Sequence, residues 1–104
     1  MTAAATLTEA MTEDQLQASV IAVAEAHGWM WHHETDSRRT RAGWPDLVLV
    51  KGNRIKIIEL KSEKGKASPE QQAWLDALAD VDTISTGIVR PSDFDALRRS
   101  LASD

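Results

Sequence analysis

The sequence predicts an α/β domain built on a single mixed β-sheet flanked by helices, in the order helix, three strands, helix, strand, helix. Three observations predict it. Two runs rich in β-branched residues, Leu47 to Val50 and Ile55 to Leu60, flank Lys51-Gly52-Asn53-Arg54 and read as a hairpin, since Gly-Asn is a recognised two-residue turn. Apolar residues at helical spacing follow Thr12 and Ser68, and both segments open with capping residues. The hairpin strands are apolar on both faces, so helices are expected on both sides of the sheet.

Taken in order, Thr12-Glu13-Asp14-Gln15 has the form of a capping box. Leu16, Val20, Val23, Ala24 and His27 then recur at helical spacing up to Gly28, which predicts a helix from Glu13 to His27. Its apolar stripe faces the sheet, and Glu13 and Gln17 lie one turn apart near its start. Trp29 to His33 predicts a strand with Trp29, Trp31 and His33 on one face and Met30 and His32 on the other. Adjacent strand histidines point apart and cannot chelate one metal together, so His33 is expected to be partly buried or to face phosphate. Glu34 to Trp44 is a polar loop holding Arg38, Arg39 and Arg41, with Gly43 just before the hairpin. Trp44 either stacks on a base or plugs the core, and the core is favoured because large aromatics mostly pack.

Beyond the hairpin, Ser62 to Ala67 reads as a flexible basic turn. Ser68 as N-cap, Pro69 at the first helical position and Gln71 at the third open a helix whose buried face carries Trp74, Leu75 and Leu78. Gln71 has two readings, a capping-box partner of Ser68 or a side chain that reaches toward the chemistry. Thr83 to Arg90 predicts the last strand and Pro91 ends it. Ser92 is expected to cap a final helix carrying Phe94, Leu97 and Leu101, with Arg98 and Arg99 as solvated surface charges.

The chain of 104 residues suits one compact domain over 12–104, preceded by a short disordered arm, 1–11, that lacks the basic start and apolar run of a signal peptide. Without cysteine there is no disulfide or thiolate zinc site, so any metal must be held by oxygen or imidazole. A cytoplasmic setting, in a bacterial or phage source, fits this composition, and no membrane span is expected. The net charge of −4 argues against a nucleic-acid partner until its distribution is read. Residues 38–66 hold nine basic and three acidic residues, and both flanking segments are acidic. Two of those three acids, Asp46 and Glu59, therefore sit inside a basic collar suited to phosphates, to which Lys64 and Lys66 contribute.

Counting outward from Gly52-Asn53, Lys51 faces Arg54, Val50 faces Ile55, Val48 faces Ile57 and Asp46 faces Glu59. Opposed residues hold their Cβ atoms roughly 4.5–5.5 Å apart, and Lys61, two residues beyond Glu59, shares their face. That face also carries Val48, Val50, Ile55 and Ile57, which a helix is expected to cover. Two carboxylates so close repel unless a cation lies between them. A hard divalent ion fits, because Mg²⁺ takes one or two carboxylates and keeps its other positions for water and phosphate. Lys61 then holds the attacking water or a phosphate oxygen. The competing reading is a strand-end salt bridge in which Lys61 only neutralises the two acids.

Pro45-Asp46 followed by Glu59-Leu60-Lys61 resembles the PD-(D/E)XK nuclease signature. Gly43-x-Pro45-Asp46 followed by Ser68-Pro69-Glu70-Gln71 resembles its VRR-NUC branch, over roughly Glu13 to Phe94. The resemblance implies a restriction-endonuclease-like core and an endonuclease that hydrolyses DNA with Mg²⁺, Mn²⁺ substituting, and no small-molecule cofactor. It implies Asp46 and Glu59 as metal ligands, the Leu60 backbone carbonyl as a further one, Glu13 as an acidic helper and Gln71 as support for the water or scissile phosphate. Arg38, Arg39 and Arg41, with Lys64 and Lys66, are expected to grip the DNA backbone without reading sequence. Small stand-alone members resemble Holliday-junction resolvases, which implies branched DNA and a homodimer. Two alternatives are a non-catalytic or regulatory DNA-binding module of the same fold and a nuclease acting on flaps or on specific sequences.

Overall fold

The structure is a computed structural model that describes residues 11–34 and 42–103. The expected arm over 1–11 falls almost wholly outside those residues, as do Arg38, Arg39 and Arg41. The element order is α1 (Glu13–Ala26), β1 (Met30–His33), β2 (Leu47–Lys51), β3 (Arg54–Leu60), α2 (Pro69–Ala79), β4 (Ile84–Val89), a short 3₁₀ turn (Pro91–Asp93) and α3 (Phe94–Ser103). The predicted order and sheet class are therefore those observed. The boundaries differ slightly: Trp29 precedes β1, His27 caps α1, and β4 is one residue shorter at each end.

Both capping boxes form as written in the sequence. Thr12 Oγ1 accepts from Gln15 N at 3.1 Å while Gln15 Oε1 accepts from Thr12 N at 2.9 Å. Each pair satisfies two backbone donors that a helix start leaves without intrahelical partners. The last helix departs from expectation. Ser92 does not cap it but lies in the 3₁₀ turn, where the Asp93 carboxylate accepts from Arg90 N at 2.9 Å and the Ser92 N–H donates to Glu63 at 3.0 Å.

The sheet order is β1-β2-β3-β4, with β1, β2 and β3 antiparallel in turn and β4 parallel to β3 across the α2 connection. The hairpin register pairs Lys51 with Arg54, Val50 with Ile55 and Val48 with Ile57, as turn counting requires. Gly52 has φ +61°, the sign a type II′ turn needs at its first central position.

One face of the sheet carries the main core. Leu47, Leu49, Ile58, Leu60 and Val89 pack with Leu16, Val20 and Ala24 of α1, with Trp29 and with Leu101 of α3. The Trp29 indole N–H donates to the Leu101 carbonyl at 3.1 Å, fastening α3 to the opposite end of the chain. On the alternate face Ile57 is buried, as is Leu75 of α2, both outside that cluster, and α2 packs on β4. Cover there stops short of the β1 edge. Val50, expected under a helix, is 37% exposed and its cross-strand partner Met30 is 76% exposed, because α2 serves the β3–β4 side of the sheet only.

Candidate active site

Asp46 sits immediately before β2, and the ladder ends at Leu47 opposite Ile58, so Asp46 and Glu59 are the next residues outward. Asp46 is fixed through both its side chain and its backbone. Its Oδ2 accepts from the Leu60 N–H at 2.9 Å, and its carbonyl accepts from the Glu34 N–H at 3.1 Å. Glu59, the one buried charged residue among those described, is 1% exposed and hydrogen-bonds the Asp46 side chain, while its Oε2 has no hydrogen-bond partner. Burial pushes the Glu59 carboxyl up to about 9, with the hydrogen bond and charge of Asp46 acting in the same direction. Glu13 adds to the rise through its charge and Lys61 opposes it. Asp46, Glu59 and Lys61 thus gather at one end of the hairpin, as the register predicts.

A buried carboxylate oxygen without a partner, held against a second carboxylate, is costly unless a cation or a proton occupies the space. Asp46 and Glu59 are therefore the side chains able to hold a hard cation. Among the described residues no three His, Cys, Asp or Glu gather into a metal cage. Glu13 is exposed at the start of α1 and reaches Glu59 through its field. His32 is exposed and His33 half-buried.

Gln71 takes part in the second capping box. Its Oε1 accepts from Ser68 N at 2.8 Å while its own N–H donates to Ser68 Oγ at 3.1 Å. The loop before Asp46 presses directly on this helix start. Gly43 has φ +88°, and a Cβ built there would lie 2.4 Å from the Glu70 carbonyl carbon and 2.8 Å from Gln71 N. Only glycine allows that approach, and it sets Pro45-Asp46 against the first turn of α2.

Trp44 does not enter the main core; it is half-buried and meets Trp74 edge-to-face, with ring centroids 5.1 Å apart at 87°. The Trp74 N–H donates to the Ala42 carbonyl at 3.0 Å. Lys64 and Lys66 are exposed, but the turn carrying them, expected to be flexible, is pinned. Arg90 donates to the Gly65 carbonyl at 2.9 Å and Glu63 accepts from Ser92 N. Charge from Arg90 and the bonds from Ser92 hold the Glu63 carboxyl below its ordinary range, the Ser92 bonds weighing most. The sequence assigns no part to Glu63 or to the Arg90 side chain and casts Ser92 only as a helix cap, since their partners here are 25 to 29 residues away.

Over 53 residues the chain is 42% identical to Fanconi-associated nuclease 1 of Danio rerio, a stretch that is 45% of this chain and 5% of that protein. The chain therefore corresponds to a small part of that relative's length. A solved structure of a VRR_NUC domain covers 86% of this chain and 97% of its own, with a TM-score of 0.70 at 21% identity, which shows a shared fold. The VRR-NUC domain family matches residues 2–88, most of the sequence, and the chain belongs to that family of nuclease domains, within the PD-(D/E)XK superfamily.

Proposed function

We propose that this domain is a Mg²⁺-dependent, structure-specific endonuclease that hydrolyses phosphodiester bonds in branched DNA, acting as a homodimer in the manner of a Holliday-junction resolvase. The observation that carries this reading is the buried Glu59 with its unpartnered Oε2 against Asp46 and with Lys61 on the same face. In a structural salt bridge both carboxylate oxygens are ordinarily hydrogen-bonded, so the orphaned Oε2 favours a bound cation.

Asp46 and Glu59 hold the ion, with the Leu60 carbonyl as a further ligand and Glu13 assisting from α1. When bound, Mg²⁺ lowers the pKa of the attacking water and stabilises charge on the phosphoryl oxygens. The Leu60 N–H keeps the Asp46 carboxylate aimed while it binds. Lys61 orients the water or a non-bridging phosphate oxygen. Gln71, whose Oε1 is engaged by the cap, offers its Nε2 to the same group. Lys64 and Lys66, presented by the pinned turn, grip the DNA backbone together with Arg38, Arg39 and Arg41. Mn²⁺ is expected to substitute for Mg²⁺, being met by the same oxygen donors. Support for the homodimer comes from β1, which among the described residues is an edge strand and carries exposed Met30 and Trp31 next to exposed Val50, an apolar edge of the kind that pairs with another chain.

The test is incubation with labelled four-way junctions, flaps and linear duplexes under Mg²⁺ and Mn²⁺. Junction cleavage by the natural chain is expected, with no cleavage by Asp46→Asn or Lys61→Ala although both unfold cooperatively. Activity retained in both variants would defeat the assignment. Metal-independent binding without cleavage would favour a DNA-binding module.

A further inference from the structure

We propose that the recess along α2 beside the candidate active site is a subsite for one unpaired nucleobase, with Trp74 as its stacking wall. The proposal rests on the nuclease reading and narrows its substrate class.

The recess has a volume of about 610 Å³ and is lined by Ala42, Glu70, Ala73, Trp74 and Ala77, within the usual range for small-ligand clefts. Glu70, Ala73, Trp74 and Ala77 are spaced i, i+3, i+4, i+7, so they form one stripe of α2. That stripe does not anchor the helix: Ala73 and Ala77 are exposed, whereas Leu75 is buried. Trp74 is half-buried and fixed at two points, by its N–H bond to Ala42 and by its edge-to-face contact with Trp44. A ring already held in place loses little freedom when a second ring stacks on it. The two alanine methyls leave the space beside it open to a flat group.

The charge of the lining decides which part of a nucleotide enters. Among the described residues that line it, Glu70 is the one ionisable group. A carboxylate repels phosphate but accepts from the exocyclic amino groups of cytosine, adenine and guanine. The described lining thus offers an acceptor to a base edge, whereas the turn that precedes α2 offers the exposed Lys64 and Lys66 to phosphate. It also lies close to the chemistry. Ala42 is four residues before Asp46, Glu70 adjoins Gln71, and Gly43 locks the two segments together. A base can enter only after leaving the duplex stack, which selects branch points, flaps and single strands over linear duplex.

The experiment uses the full chain with Ca²⁺ and a flap DNA carrying 2-aminopurine at successive positions around the branch, with a matched abasic series. The natural chain is expected to quench the probe at one unpaired position, and an abasic nucleotide there should weaken binding. Trp74→Ala should weaken binding about 5- to 150-fold, the range for loss of one base–aromatic stack, and Trp74→Phe should retain most of it. Because Trp74 also packs on Trp44, Ala73→Leu provides the cleaner variant. It fills the recess from an exposed position, and it should abolish the quench and add nothing to the abasic defect. Quenching that survives Ala73→Leu, an abasic effect equal at every position, or an altered sedimentation coefficient with unchanged DNA affinity would overturn the subsite, the last assigning the recess to a second copy. Mg²⁺-dependent cleavage is scored separately: cleavage without position-specific quenching sinks the subsite alone, quenching without cleavage sinks the nuclease reading alone, and no binding sinks both.

Discussion

Glu59 is, without a cation, better off protonated, and this makes its chemistry measurable before any substrate is added. Its carboxyl titrates near 9 in the fold against an ordinary 4.5, chiefly because it is buried and faces Asp46. A carboxyl raised in this way binds more protons folded than unfolded, so its contribution is fully present below about pH 4.5 and is lost as pH rises toward 9. In chelator, thermal stability should therefore fall between pH 5.5 and 8.5, with a limiting slope of about 1.4 kcal/mol per pH unit. Glu59→Gln should flatten that slope, and Mg²⁺ added at pH 8 should raise the melting temperature of the natural chain but not of the variant. Equal slopes in the two proteins would mean that Glu59 is not the group responsible. Asp95, by contrast, is exposed, and its carboxyl is lowered by its hydrogen bonds and charge pairing with Arg98, backed by Arg99. Such surface pairs contribute little, in keeping with the solvated role expected for both arginines.

At the scale of elements, the joint between the loop ending at Asp46 and the start of α2 depends on Gly43. Gly43→Ala imposes a left-handed backbone on a residue with a Cβ, at about 1–3 kcal/mol, and drives that Cβ into the Glu70 and Gln71 backbone, which cannot rotate away. Gly52→Ala shares the positive φ but meets open space, so it should cost only about 1–2 kcal/mol. Chemical denaturation should rank the two variants in that order, and cleavage by Gly43→Ala, assayed where it is folded, should drop further than that of Gly52→Ala. Equal losses would mean that the joint is pliable. The hairpin register, both capping boxes and the placing of Asp46, Glu59 and Lys61 were legible in the sequence, because turn length, cap spacing and strand alternation are local rules. Gly43 against Glu70, Trp74 bonded to Ala42 and Arg90 bonded to Gly65 were not, because each joins segments 25 to 32 residues apart and no periodicity encodes such a meeting. Trp44 was misjudged for the same reason: its partner is a second tryptophan on α2, away from the main core.

For the whole molecule, the acidic net charge coexists with a basic centre, and the assembly expected from the β1 edge determines whether two such centres act on one branched substrate. Sedimentation velocity should show a species of twice 11.5 kDa at working concentration. Met30→Lys together with Val50→Lys should shift it to the monomer and reduce junction cleavage while sparing the fold, since both side chains are exposed. A monomer that remains fully active on junctions would count against the assembly. The parallel pairing of β3 with β4 carries a separate consequence. Because β2 runs antiparallel to its neighbours, the start of β2 and the ends of β1, β3 and β4 all lie at one end of the sheet, together with Asp46, Glu59, Lys61 and the loop into α2. The opposite end holds the Gly52-Asn53 turn and exposed Asp82 and Thr83. The molecule thus has a working end and a handle, and a fluorophore or surface tether attached at Asn53 or Asp82 would present the site outward to incoming DNA.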